Sequence, residues 1–309
     1  MGFNLVNLAI TLRSNDASYL LHRLPLLGKK YAVVCRSFSC RWPQRACETC
    51  SVQETCGWHL VFGQELTSDP DALKRHQKPP LPFVFSFPVL GLISRDDKEI
   101  VCGLVVIGLA ISHLEMLLNG FEELLSTQLS PFSAEIVRIA CRDYQGFVQC
   151  PSGNSRSMTL VPENLVITST EGLLESRIWG GSELHIQLQS PLRLLRDGCP
   201  AVCFEFANFA RSVMRRVSSL AYYYGEREYV CDFKELSHQT DDVICTADHF
   251  CYSDNKNKKM AGITGSGSFL GDFSGLVPFL VIGSYVHTGK GSSFGMGAYE
   301  VVPHDGSIQ

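Results

Sequence analysis

The stretch LVPFLVIGSYVHTGKGSSFGMGAYEVV, residues 276–302, sets the carboxyl end of the fold. An apolar run reaches Val286, a loop follows with Gly289, Gly291, Gly295 and Gly297 inside nine residues, and an alternating segment leaves it as a strand. Glycine permits backbone angles and close approaches that a side chain blocks. The spacing is not that of the P-loop, which argues against a nucleotide triphosphatase. Two readings remain: a nest of backbone N–H groups for phosphate, with Lys290 adding charge, or a tight connection before an edge strand.

Upstream, FEFANFARSVMRRVSSLAYYYG (204–225) carries the clearest helical pattern in the chain. Phe206, Phe209, Ala210, Val213, Val217, Leu220 and Ala221 share one stripe, and Gly225 ends the helix. Arg211 and Arg215 face away from that stripe and Arg216 flanks it. SELHIQLQS (182–190) alternates as a strand, and a second, Gly-rich strand covers 262–273.

The first half shows the same order of elements. Val6, Leu8, Ile10 and Leu12 fall on one face of an opening strand. SNDASYLLHRLP (14–25) reads as a short helix capped by Ser14, Asn15 or Asp16 and stopped by Pro25. A cysteine-rich stretch (35–56) and a linker-like segment, TSDPDALKRHQKPPLP (67–82), come next. EIVCGLVVIGLA (99–110) is a buried strand. It feeds SHLEMLLNGFEELLS, a helix with Ser112 and Glu115 placed as a capping box, and AEIVRIACRDY (134–144) is another strand. Two α+β units of the split βαβ type account for this order. We place them at residues 1–170 and 171–309, with a Cys-rich insertion over about 35–60 in the first.

Composition narrows the class. The 309 residues are 45% hydrophobic and 19% charged, with a net charge of −4. That excludes a surface coated in positive charge but leaves room for a local basic face. The thirteen cysteines come with no secretory leader at the amino end and no apolar run suited to a bilayer. The expectation is a cytoplasmic protein with reduced thiols and no membrane partner.

The carboxyl stretch resembles the end of the CRISPR-associated endoribonucleases that cut repeat RNA, the sixth Cas family of the RAMP superfamily. Their signature is two Gly-x-Gly pairs five residues apart. Gly289, Gly295 and Gly297 match three of its four glycines, and His287 stands where the first would be. The Arg-containing helix at 209–225 and the segment AGITGSGSFLGDF (261–273) also look like that family. CETCSVQETCGWHLVF (47–62) resembles a cysteine cluster in one of its branches. The resemblance implies two tandem ferredoxin-like (RRM-like) domains that bind CRISPR repeat RNA, and other effector subunits as further partners. It also implies cleavage without a metal or other cofactor, by attack of the RNA's 2′-hydroxyl on the next phosphorus to leave a cyclic phosphate.

That chemistry needs proton transfer and charge stabilisation, which histidine and cations or backbone N–H groups supply. His22, with Tyr19 beside it, is the first candidate for catalysis, and His287 the second. Gly289, Lys290, Gly291, Gly295, Gly297, Arg211, Arg215 and Arg216 are the candidates for holding RNA. Lys256, Lys258 and Lys259 form a further basic loop, and Tyr222, Tyr223 and Tyr224 could stack bases. His59 reads as a ligand or a packing residue and His113 as exposed. Cys40, Cys47, Cys50 and Cys56 are spaced so that Cys47 and Cys50 can share a metal, either structural zinc or an iron–sulfur cluster. The remaining thiols read as core, with Cys35 a substitute ligand. Two other readings stay open: a non-cleaving RNA-binding subunit, and a cysteine-ligated metal or redox module.

Overall fold

A computed structural model of the chain describes residues 2–76, 78–88, 98–129, 133–146, 148–149, 165–176, 181–196, 198–226, 231–255 and 260–303. The basic loop with Lys256, Lys258 and Lys259 lies outside them.

The first sheet holds β1 (Asn4–Ser14), β2 (Phe83–Ser86), β3 (Glu99–Ile107), β4 (Ala134–Arg142), β5 (Val148–Gln149) and β6 (Ile167–Ser169). Its order is β2-β3-β1-β4-β5, every pair antiparallel, with β6 on the first residues of β1. Val6, Leu8, Ile10 and Leu12 are fully buried, as their alternation requires. Between β1 and β2 run α1 (Ala17–Arg23), α2 (Gly28–Ser39), α3 (Gly57–Phe62) and α4 (Pro70–Arg75), and α5 (Leu114–Thr127) joins β3 to β4. The Tyr31 hydroxyl of α2 donates to Leu117 O of α5 at 2.7 Å. Gly120 lets the two helices close up, because a Cβ there would strike the Cys35 thiol.

After α6 (Thr170–Glu175) comes the second sheet. It contains β7 (Glu183–Leu192), then β10 (Ile244–Asp248), β11 (Cys251–Ser253), β12 (Gly262–Leu270) and β13 (Tyr299–Pro303), with a separate hairpin of β8 (Leu195–Arg196) and β9 (Cys199–Pro200). The order is β10-β12-β7-β13. Helices α7 (Phe206–Tyr224) and α8 (Phe233–Gln239) precede β10, and α9 (Val277–Val286) lies between β12 and β13. In both sheets the chain runs βαββαβ and the strands stand in the order second, third, first, fourth, so the fold is a tandem of ferredoxin-like units. The Cys-rich insertion follows α2.

Several local expectations need correction. Ser112 does not cap α5: residues 108–113 form a 3-10 turn, and the Ser112 hydroxyl donates to Leu109 O at 2.8 Å. Asp16 alone caps α1, accepting from the Tyr19 N–H at 2.8 Å. The linker-like segment contains α4, capped by Asp69 with Pro70 in its first turn. Cys199, Cys203, Cys245 and Cys251 are exposed, so they are not core thiols, unlike buried Cys35, Cys102 and Cys141. His113 is half-buried, and its ring packs so close that a Cβ on Gly57 would meet Nδ1 at 2.6 Å.

Candidate nucleic-acid interface

The loop between α9 and β13 is built almost wholly on backbone geometry. Gly289, Gly291, Gly295 and Gly297 have φ of 81°, 83°, 87° and 65°, the left-handed region that glycine enters without cost. Hydrogen bonds pin the loop to its surroundings: Lys290 N–H to Arg193 O (2.9 Å), Gly297 N–H to Pro191 O (3.0 Å) and Thr288 N–H to Gly297 O (3.1 Å). From the first sheet, the Phe85 N–H donates to Ser293 O at 3.0 Å, and Phe85 forms a parallel bridge with Phe294. Gly28, at the start of α2, lies against the Phe294 ring, where a Cβ would come within 2.7 Å. The loop therefore seats on both halves of the molecule.

Only part of it faces outward. Lys290 and Gly291 are exposed and Gly289 is half-buried, while Gly295 and Gly297 are buried. A methyl group on Gly295 would meet the Phe87 ring at 2.5 Å, and one on Gly297 would strike Thr288 O. The expectation that these two glycines meet RNA gives way. Their side-chain-free backbone is required by the packing of the loop itself.

Beside the exposed part lies a cleft of about 660 Å³. Seven cations line it: Lys74, Arg75 and Lys78 from α4 and its exit, Arg193 after β7, Arg215 and Arg216 from α7, and Lys290. No carboxylate lines it among the described residues. Arg216 is largely enclosed, its Nε donating to Val286 O at 2.8 Å and its Nη2 reaching Ser293 Oγ at 3.5 Å. Burial pulls its pKa down to about 10, still far above neutrality, so it stays charged. A cation held this way, with no carboxylate pairing among the described residues, favours an anion in the cleft. Arg211 behaves differently. It donates to Ser237 Oγ at 2.7 Å and to Asp241 Oδ1 at 2.5 Å, so its charge is already matched.

The histidines divide in the same way. His22 is exposed on the last turn of α1, one residue from Arg23, whose guanidinium sits 5.9 Å over the Tyr19 ring. Neither His22 nor Tyr19 lines the cleft. His287 adjoins Arg216 but is 5% exposed, and its Nδ1 has no hydrogen-bond partner. Burial, with the Arg216 charge nearby, drops its pKa to about 3. It stays neutral at ordinary pH, without the proton that a general acid delivers. His76 is buried as well, stacked on Tyr222 with ring centroids 4.8 Å apart, its Nδ1 3.2 Å from Ser219 Oγ. That stack occupies Tyr222. Tyr223 donates to His76 O at 2.9 Å, and Tyr224 is buried, so these tyrosines serve packing rather than base stacking.

Lys74, Arg75, Lys78 and Arg193 were missed in the sequence. The run KRHQK (74–78) was the available signal, but it stood in a segment that reads as a linker. Cys40, Cys47, Cys50 and Cys56 gather elsewhere, around one narrow void. As they stand, no group of three or more His, Cys, Asp or Glu among the described residues is drawn together tightly enough to hold a metal ion.

Residues 186–299 match the family described as CRISPR-associated endoribonuclease Cas6. Residues 32–145 match a family described only as an N-terminal domain. No curated protein matches the sequence. Among solved structures, a Cas6 product complex aligns with a TM-score of 0.58 at 12% identity, over 96% of this chain and 100% of that one. Thermus thermophilus Cas6 aligns with a TM-score of 0.53 at 15% identity, over 98% and 100%. A chain of a partial Cas6-RT-Cas1–Cas2 complex aligns with a TM-score of 0.56 at 11% identity, over 100% of this chain and 47% of that longer one. At these identities the structural likeness speaks for the fold.

Proposed function

We propose that this chain, which resembles the Cas6 endoribonucleases in its carboxyl-terminal family match and in its whole fold, binds CRISPR repeat RNA and cleaves it. The observation that carries the reading is the cleft lined by seven cations and, among the described residues, by no carboxylate, with Gly289 and Lys290 of the loop on its wall. In a chain of net charge −4, seven cations on one cleft, of which Lys74 also pairs with Asp71 Oδ1 at 3.0 Å, suit a polyanion.

The chemistry proposed is transesterification. The RNA 2′-hydroxyl loses its proton and attacks the adjacent phosphorus, the bond to the 5′-oxygen breaks, and that oxygen takes up a proton. The products are a cyclic phosphate and a 5′-hydroxyl end. Lys290, Arg193 and Arg215 offset phosphate charge along the cleft, and Arg216 fixes one phosphate by its enclosed guanidinium. His22, exposed on α1, is the proposed proton-transfer group, with Tyr19 orienting the hydroxyl. No step calls for a metal ion. The second reading, an RNA-binding subunit that does not cut, is favoured by one observation: no histidine among the described residues lines the cleft.

Two variants test these readings together on repeat RNA, with EDTA present. Lys290→Ala should weaken binding and lower the salt slope by about one unit, the signature of one lost phosphate contact. His22→Ala should slow cleavage by about 10²–10⁴ while leaving affinity nearly intact. Unchanged affinity and slope in Lys290→Ala would remove the cleft as the binding site. RNA binding with no cleavage by the parent protein would establish the second reading.

A further inference from the structure

Cys40, Cys47, Cys50 and Cys56 line a single void of about 10 Å³, with Arg36, Arg45, Trp42, Gln53 and His59 around it. Backbone turns put the thiols there. Cys40 closes α2, its N–H donating to Arg36 O at 2.9 Å. Cys47 opens a 3-10 turn and Cys50 closes it, with Cys50 N–H on Cys47 O at 2.9 Å. Cys56 ends the next 3-10 turn and leads into α3.

The segment between those helices is held mainly by a few polar contacts, such as Arg36 Nη2 on Arg45 O and Gln53 Nε2 on Glu65 Oε2 at 3.1 Å. Residues 41–56 include no buried residue. Ordering such a stretch costs conformational entropy that no apolar core repays, and short segments in this position are held by metals or disulfides. The twelve described cysteines are all free.

About 10 Å³ is close to the space of one small atom or ion, which suits a single metal ion among the thiols. Four thiolates suit zinc in a closed tetrahedral site. They fill that site without His59, whose Nε2 lies 2.9 Å from Glu65 Oε2 and 3.1 Å from Gln53 Nε2. Four thiolates around zinc leave a doubly negative centre, which needs cations close by. Arg36 supplies one, with Nη2 3.9 Å from Cys47 Sγ and the guanidinium 4.8 Å over the Trp58 ring. Its Nε is enclosed without a partner. Such neighbours orient and stabilise the ligands of a metal site.

We propose that Cys40, Cys47, Cys50 and Cys56 bind one zinc ion that staples this turn-rich excursion to α2 and α3. As placed, the thiols are not drawn together tightly enough for an ion, so binding requires them to close on it. Binding replaces four S–H bonds by four S–Zn bonds and delivers the thiol protons to solvent. The proposal does not depend on RNA binding or cleavage.

The test uses the full chain purified in reductant without chelator. Elemental analysis should find about one zinc per chain, as a closed structural site takes. Cys47→Ser and Cys56→Ser should lose it, while Cys203→Ser, changed at an exposed thiol, should keep it. Should the serine variants misfold, metal-free parent protein titrated with cobalt should develop thiolate–cobalt charge transfer, and zinc should protect four thiols from alkylation. Zinc retained by both serine variants, iron with sulfide in place of zinc, or a parent protein with neither metal, cobalt band nor protected thiols would overturn the proposal.

Discussion

His287 has φ of 56° at a loop position where the family's glycine pattern has glycine. A side chain held there costs about 1–3 kcal/mol and persists only where its surroundings over-determine it. The surroundings here also withhold a proton, since burial and Arg216 drop its pKa to about 3. In the unfolded chain the same ring takes a proton near the ordinary value of 6.5. Between these two values the unfolded state binds more protons, so stability falls as pH falls from 6.5 towards 3, by at most about 1.4 kcal/mol per pH unit. Above pH 6.5 the residue has no such effect. His287→Gly removes both the titration and the strain. Urea melts at pH 7.5 and pH 5 should show the variant losing less stability than the parent on acidification. Equal losses in the two proteins would show that the ring is not held neutral.

At the scale of elements, legibility followed periodicity. α7 and β1 carry long stripes or alternations, and both appear where their patterns put them. α4 has six residues and buries only Ala72, so it leaves no stripe to read. α9 is apolar nearly all round because it is buried, and a helix without a polar face shows no helical period. The capping box at Ser112 failed because Gly108, at φ 54°, admits a 3-10 turn that absorbs the serine before α5 begins. The site divides the same way. Lys290, Arg215 and Arg216 were visible in the sequence because the loop and α7 were. The burial of Gly295, Gly297 and His287 was not, because it arises from Phe87, Thr288 and Arg216, contacts made only once the chain has folded.

Across the whole molecule, two sets of contacts join elements of the first half to cleft-lining elements of the second. In one, Phe85 of β2 bonds the Gly-rich loop. In the other, the segment that carries Lys74, Arg75 and Lys78 from the first half is fastened to α7 of the second, with His76 stacked on Tyr222, Thr67 Oγ1 2.8 Å from Tyr222 Oη and Tyr223 bonded to His76 O. Three of the seven cleft cations thus ride on a segment fastened by these hydrogen bonds and by a stack of two rings, the stack worth about 0.5–1.5 kcal/mol beyond burial. Tyr222→Ala should release the segment, and RNA affinity should fall although Tyr222 does not line the cleft. The diagnostic is non-additivity. Once the segment is loose, Lys74→Ala should cost little more, so the double variant should bind more tightly than the sum of the single losses predicts, by a coupling of about 0.5–3 kcal/mol. Affinity titrations on the four proteins, with melting curves to exclude a general loss of fold, measure it. Strict additivity would mean that Lys74 meets RNA without help from the fastening.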